Sequence, residues 1–315
     1  MLRLGAVRLA LSSGSTKYKK STANYYATYS RATASLVASP LFPRATLVAA
    51  AAVSTSAACA FCSSSAVDSV VKPNLRNNGL PTVILYQYEP CPYCCKVKAV
   101  LDYFKIPYEV VEVNPLTKNE IKAFTDYRKV PVVRINDKVI VDSSTIILRL
   151  QNLVNKSKNT EQSLTTRQEE DHWRQWVDQK LIVLTPPNIY RTIPEALQAF
   201  DYCLSEGNFT PMERRLSKYV GAFIMYCIAK RSKQKYDITD ERQALYSALN
   251  TWLEAIGDER DFLGGHEPNL ADLSVFGVLR AMHGLDTYAD ILRDTNIEPW
   301  VTRMITKVGA TARTN

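Results

Sequence analysis

Over fourteen residues the chain changes its hydrophobic period from two to that of a helix, and a cysteine pair stands at the change. Thr82-Val83-Ile84-Leu85-Tyr86 is a run of β formers that stops at Glu89-Pro90. From Pro92 onward Tyr93, Val97, Val100, Leu101 and Phe104 are spaced to share one helical face. Pro92 suits a first helical position, so Cys91 falls where a strand hands over to a helix N-terminus. Unpaired backbone N–H groups and the positive end of the helix dipole favour a thiolate there. Thiols in Cys-x-x-Cys sequences reach pKa values of about 3.5 to 7.5, against about 8.5 for free cysteine. Cys91 is therefore the predicted nucleophile and Cys94 its predicted partner. Cys95 is turned about 100° away, towards Lys98 and Asp102. Half a zinc site or two buried, inert thiols are the alternatives; zinc needs a second ligand pair, and no His or Cys follows until His172.

The rest of the chain supplies a frame for this corner. Tyr108 to Val113 reads as a strand and Asn119 to Phe124 as a short helix. Tyr127 to Ile135 and Lys138 to Val141 read as a hairpin turning at Asn136-Asp137. Asp142-Ser143-Ser144 opens a helix whose Ile146, Ile147, Leu150, Leu153 and Val154 form one stripe. Past a polar linker, Lys156 to Thr160, the pattern is helical throughout. Trp173, Trp176, Val177, Leu181 and Leu184 share a face, as do Leu216, Val220, Phe223, Ile224 and Cys227, and then Leu245, Leu249, Trp252, Leu253 and Ile256. Thr192-Ile193-Pro194-Glu195 and Thr210-Pro211-Met212-Glu213 read as capping boxes. Asn269-Leu270-Ala271-Asp272 opens Leu273 to Met282, a helix apolar on nearly all sides and hence predicted to be central.

Charge is uneven. The net charge of +8 arises mostly from seven basic residues, Arg3 to Arg44, that precede the first acid, Asp68; the remainder is close to neutral, which removes a nucleic-acid footprint. That leader is rich in Arg, Ser, Thr and Ala, the composition of a mitochondrial transit peptide. Ala45 to Cys62 is uncharged and close to the minimum length of a membrane span; a membrane anchor and a cleavable or stop-transfer targeting element both fit it. Seven scattered cysteines do not form a secreted disulfide framework, and Cys59 and Cys62 lie outside any strand-helix pattern. The three histidines, His172, His266 and His283, stand on different elements and are not assigned as ligands, so no metal site is predicted.

The order β-α-β-α-β-β-α, with Cys91-Pro92-Tyr93-Cys94 at the first βα junction, Val130-Pro131 opening the third strand and Asp142-Ser143 at the last helix start, resembles the glutaredoxin and glutathione transferase N-terminal domain. The resemblance implies an α/β, thioredoxin-like N-terminal domain followed by an all-α, glutathione transferase-like C-terminal domain. The resulting division is a targeting and membrane segment over 1–67, a linker over 68–79, the thioredoxin-like domain over 80–154, a linker over 155–165 and the helical domain over 166–315. The family pattern implies a cis Val130–Pro131 bond, glutathione backbone pairing at Val130, Ser143 for the γ-glutamyl carboxylate and Asp142 for its ammonium. Longer matches, among them Tyr86-Gln87-Tyr88, Tyr127-Arg128-Lys129-Val130-Pro131, Trp173-Arg174-Gln175-Trp176, Tyr190-Arg191-Thr192 and Pro268 to Leu273, are similar to the prostaglandin E synthase 2 family over about residues 80 to 305.

That narrower resemblance implies a glutathione-binding homodimer that isomerises prostaglandin H2, a lipid endoperoxide, to prostaglandin E2. Cys91 would be central, with Tyr88 and Tyr93 lining the pocket and Cys94 nearby. It also implies a haem in some states, with Arg231 matching a cleft position. The chain departs from the pattern of the vertebrate members at Val183, Pro186 and Lys235, where those have histidine, serine and arginine. The alternatives are a glutaredoxin-like thiol-disulfide oxidoreductase or glutathione transferase, and a haem- or glutathione-binding protein without turnover.

Overall fold

The computed structural model describes residues 82–155 and 164–315. The leader, the uncharged stretch, the Cys59/Cys62 pair and both predicted linkers lie outside the described residues or run past their edges. Strands β1 (Val83–Gln87), β2 (Tyr108–Glu112), β3 (Val132–Ile135) and β4 (Lys138–Val141) form one sheet in the order β2-β1-β3-β4. β1 pairs parallel to β2, Val83 opposite Tyr108, and antiparallel to β3, Val83 opposite Ile135; β4 returns along β3. Between them run α1 (Pro92–Tyr103) and α2 (Asn119–Lys122), and α3 (Ser143–Asn155) follows β4. This is the predicted β-α-β-α-β-β-α order, with the hairpin turning at Asn136-Asp137, where Asn136 takes a left-handed backbone.

The remaining elements are helical. α4 (Leu164–Trp176) runs into a π-helical segment (Val177–Leu181) and then α5 (Ile182–Ile189). There follow α6 (Ile193–Ala199), α7 (Tyr202–Ser205), α8 (Pro211–Lys235), α9 (Glu241–Ile256), α10 (Leu270–Arg280), α11 (Asp286–Asp294) and α12 (Glu298–Val308). α10 is buried along almost its whole length and lies against α1. The approach is close because residue 277 is glycine: a Cβ there would sit 2.5 Å from Lys96 Cα. One apolar core runs from Val83 and Leu85 in the sheet through Val97, Val100 and Leu101 of α1 to Leu273, Trp300 and Met304. Among the described residues no helix is long and apolar enough to cross a membrane.

Two helix predictions need adjustment. Thr192 does accept from Glu195 N, but the Glu195 carboxylate closes on Arg191 (2.6 Å) rather than back on its own cap, so only half the box forms. Thr210 and Glu213 form theirs in full. In α8, Leu216, Val220 and Phe223 do not face the core with Ile224. They are exposed with Met212 and Tyr219, while Ser217, Gly221, Ala222, Ile228 and Ala229 are buried. The small residues win the inward face because the neighbouring chain comes close: a Cβ on Gly221 would stand 2.4 Å from the Phe200 ring.

The chain's last residues return to the sheet. Tyr108 N donates to Ala312 O (3.3 Å), Thr314 N to Tyr108 O (2.9 Å), and Val110 N to Asn315 Oδ1 (2.8 Å). They cover the outer edge of β2, which would otherwise present unpaired backbone groups.

Candidate thiol site at a helix N-terminus

Cys91 is the N-cap residue of α1, with extended backbone and no side-chain cap bond. Its amide donates to Tyr88 O (3.1 Å) and its carbonyl accepts from Cys95 N (2.9 Å), so the loop and the first turn fix the sulfur in place. The side chain is half-buried, whereas Cys94 and Cys95 are fully buried.

The Cys91 thiol is held below its usual range, chiefly because the Cys94 thiol donates to its sulfur. Burial opposes this, while the Cys94 and Tyr93 backbone N–H groups and the Lys98 charge reinforce it. Cys94 moves the other way: burial, followed by its bond to Cys91 and the Cys91 charge, pushes it well up. The pair thus divides into a half-buried sulfur whose ionisation is favoured and a buried thiol that donates to it. Burial drives Cys95 up to about 11. Its Sγ faces the other way and donates to Glu89 O (3.4 Å).

A small apolar cluster separate from the main core gathers the neighbourhood. Tyr86, Cys94, Val113, Ile121, Val130 and Val132 are its buried members, and Tyr88, Cys91, Phe124 and Tyr127 pack against it. It therefore unites Cys91, Cys94, Tyr88 and Val130. The Val130–Pro131 bond is cis, and the β1–β3 ladder ends at Tyr86 opposite Val132, leaving Val130 beyond it. Tyr93 packs against the main core instead, with the Lys96 ammonium 5.7 Å from its ring centre. Asp142 has left-handed backbone (φ 71°), a strained conformation for a non-glycine residue, and its Oδ1 accepts from Thr145 N (2.9 Å). Ser143, buried, is the first residue of α3.

Tyr127 links the two halves and was not among the predicted site residues. Its phenol is raised by burial first, and then by the charges of Asp142, Cys91 and Cys94. The sequence offered it only as a tyrosine four residues before Pro131. Arg231 is exposed near the end of α8. Among the described residues no three His, Cys, Asp or Glu side chains gather as a metal site.

Behind the cysteine loop lies a buried polar network that the helical period of α1 does not announce. Glu89 N donates to Glu112 Oε1 (2.7 Å), Gln87 Nε2 to Glu89 Oε2 (2.6 Å) and Glu112 Oε2 (3.1 Å), and Lys98 Nζ to Glu89 Oε1 (2.9 Å). Burial pushes Glu112 up to about 8, against the pull of the Gln87 and Glu89 donors. On the same helix Asp102 takes Arg280 and the Thr311 hydroxyl, and Lys96 takes Asp178. Lys96, Lys98 and Asp102 are all buried.

The geometry is that of the glutathione transferase N-terminal fold, and comparison with known proteins agrees. The family model for the glutathione S-transferase N-terminal domain matches residues 85–158. Glutaredoxin 1 of Rickettsia typhi is 47% identical over 45 residues, 14% of this chain and 43% of that protein. A solved glutathione S-transferase-I bound with lactoylglutathione aligns at 17% identity and TM-score 0.48, covering 72% of this chain and 96% of that one. Mouse prostaglandin E synthase 2 is 40% identical over a 264-residue alignment that covers 70% of this chain and 68% of the mouse protein. The zebrafish protein is 42% identical over a 262-residue alignment that covers 70% of this chain and 69% of its own length. With both halves of the fold spanned at that identity, the chain belongs to the prostaglandin E synthase 2 family.

Proposed function

We propose that this protein is a glutathione-linked enzyme that isomerises prostaglandin H2 to prostaglandin E2 with Cys91 as the nucleophile. One observation carries the reading: the half-buried Cys91 sulfur receives the Cys94 S–H and two backbone N–H groups at the start of α1, which lowers its pKa and favours the thiolate. Glutathione fits the neighbouring residues. Val130 offers backbone beyond the end of the ladder, and Asp142 with Ser143 at the start of α3 offers an acid and a helix N-terminus for the γ-glutamyl end.

In the proposed reaction the thiolate, of Cys91 or of glutathione held beside it, attacks the endoperoxide oxygen on C9. An S–O bond forms, the O–O bond breaks, and the oxygen on C11 leaves as an alkoxide. Tyr127, whose raised phenol keeps its proton at neutral pH, is placed to protonate that alkoxide. A base then removes the C9 proton; the C9 carbonyl forms as the S–O bond breaks and the thiolate is returned. The change is an isomerisation without net oxidation. Haem enters no step of this reading. A homodimer and a mitochondrial, membrane-associated location belong to the same reading. The uncovered apolar stripe of α8 and the acid-free basic leader respectively support them.

Cys94 specifically favours a second reading, glutaredoxin-like reduction of glutathionylated thiols: a protonated thiol bonded to the nucleophile is placed to resolve a mixed disulfide. The full chain with glutathione is expected to form prostaglandin E2 from prostaglandin H2 faster than buffer does, and Cys91→Ser to lose at least about a hundredfold of that gain. A Cys91→Ser rate equal to wild type removes the nucleophile from the account. Reduction of a glutathionylated peptide without endoperoxide turnover moves it to the second reading.

A further inference from the structure

Asp178 lies in the π-helical segment between α4 and α5, on the helical half of the molecule, yet its carboxylate bonds only to the sheet half. One oxygen pairs with the Lys96 ammonium and the other accepts from Ser144 Oγ (3.0 Å). Lys96 is on α1, one turn past Cys91, and its side chain is 2% exposed; its ammonium also lies over the Tyr93 ring. Ser144 is the second residue of α3, beside Asp142 and Ser143. A single carboxylate thus ties the second turn of α1 to the first turn of α3, the two helices that frame the candidate site, one carrying the thiol and one the proposed γ-glutamyl end.

The π segment is what places it. A π turn holds one residue more than the α turn it replaces, so the residues around it are re-aimed relative to a straight helix, and such insertions often mark functional sites. Here Val177 and Leu181 stay in the core while Asp178 turns to Lys96 and Ser144.

We propose that Asp178 is a positioning residue for glutathione, fixing the separation of the α1 and α3 N-termini so that the two ends of the tripeptide are met by a preformed site. Preorganisation lowers the ordering cost of binding, so loosening α3 from α1 weakens uptake without touching the thiol. The inference rests on the glutathione reading above, and its test separates the two.

Binding of S-methylglutathione, which cannot exchange disulfides, is measured by calorimetry on the full chain, with the pH midpoint of Cys91 alkylation and the thermal midpoint measured alongside. Ser144→Ala removes only the α3 tie and is expected to weaken binding about threefold with both midpoints unchanged. Asp178→Asn, which also leaves Lys96 without its counter-charge, is expected to weaken binding about tenfold and to lower the thermal midpoint. A structural salt bridge alone would lower the thermal midpoint in Asp178→Asn and leave Ser144→Ala binding as wild type does; that result overturns the proposal while the glutathione reading stands. Wild-type protein that takes up no S-methylglutathione overturns both.

Discussion

Two helix N-termini in this molecule meet the same requirement in opposite ways. At α10 the orphan N–H groups are taken by side chains. Asn269 accepts from Ala271 N and Asp272 N, and Asp272 returns to Asn269 N (3.0 Å) while also accepting from Leu263 N and Gly264 N. At α1 no side-chain oxygen caps the turn, and the first turn holds no acid. There the Tyr93 and Cys94 N–H groups lower the Cys91 thiol. The first arrangement secures a buried helix. The second keeps the same electrostatic field for an ionisable sulfur at a half-buried position. A cap that satisfies the backbone contributes to folding, and a start left to a cysteine contributes to reactivity.

The contrast can be broken from either side. Asp272→Ala has the largest expected effect: it strands several buried N–H groups and is expected to cost about 2 to 4 kcal/mol in urea unfolding, with the Cys91 alkylation midpoint unmoved. A shifted midpoint would mean that the two termini are not separable. Cys94→Ala removes the leading donor to Cys91 and is expected to raise the Cys91 midpoint by about one pH unit, equivalent to about 1.4 kcal/mol, with little change in unfolding. No movement would assign the field to the backbone alone.

A further prediction concerns the network behind the loop. Glu112 has a folded pKa of about 8, above its usual carboxyl value, so between about pH 4.5 and 8 the folded state holds more protons than the unfolded one. Stability from this group is present at low pH and falls as pH rises through that window. Glu112→Gln, a mimic of the protonated form, is expected to flatten that decline in thermal midpoint between pH 5 and 8.5. A slope equal to wild type would show that the group titrates elsewhere.

How much of this the sequence carried depends on the range of the interaction. The strand-helix corner, the hairpin, the Asp142-Ser143 helix start and the buried α10 were legible, because period, turn residues and caps are local signals. The orientation of α8 was not, since Gly221 and Ala222 win the inward face only through the nearness of Phe200. The cover of β2 by Ala312 to Asn315 joins residues some 200 positions apart. The ion pairs of Lys96, Lys98 and Asp102 were not legible, because their partners Asp178, Glu89 and Arg280 are set by folding rather than by spacing. Tyr127 was present in the family-like run before Pro131, but its role depends on Asp142 and Cys91 converging on it.

The most direct test is the pH dependence of iodoacetamide labelling at Cys91, followed by peptide mass spectrometry on the full chain. A sulfur receiving the Cys94 thiol and two helix-start amides is expected to label with a midpoint below the free-cysteine value of about 8.5, while Cys94 and Cys95 stay unlabelled across the same range. A Cys91 midpoint at or above that value, or earlier labelling of Cys94, would contradict it.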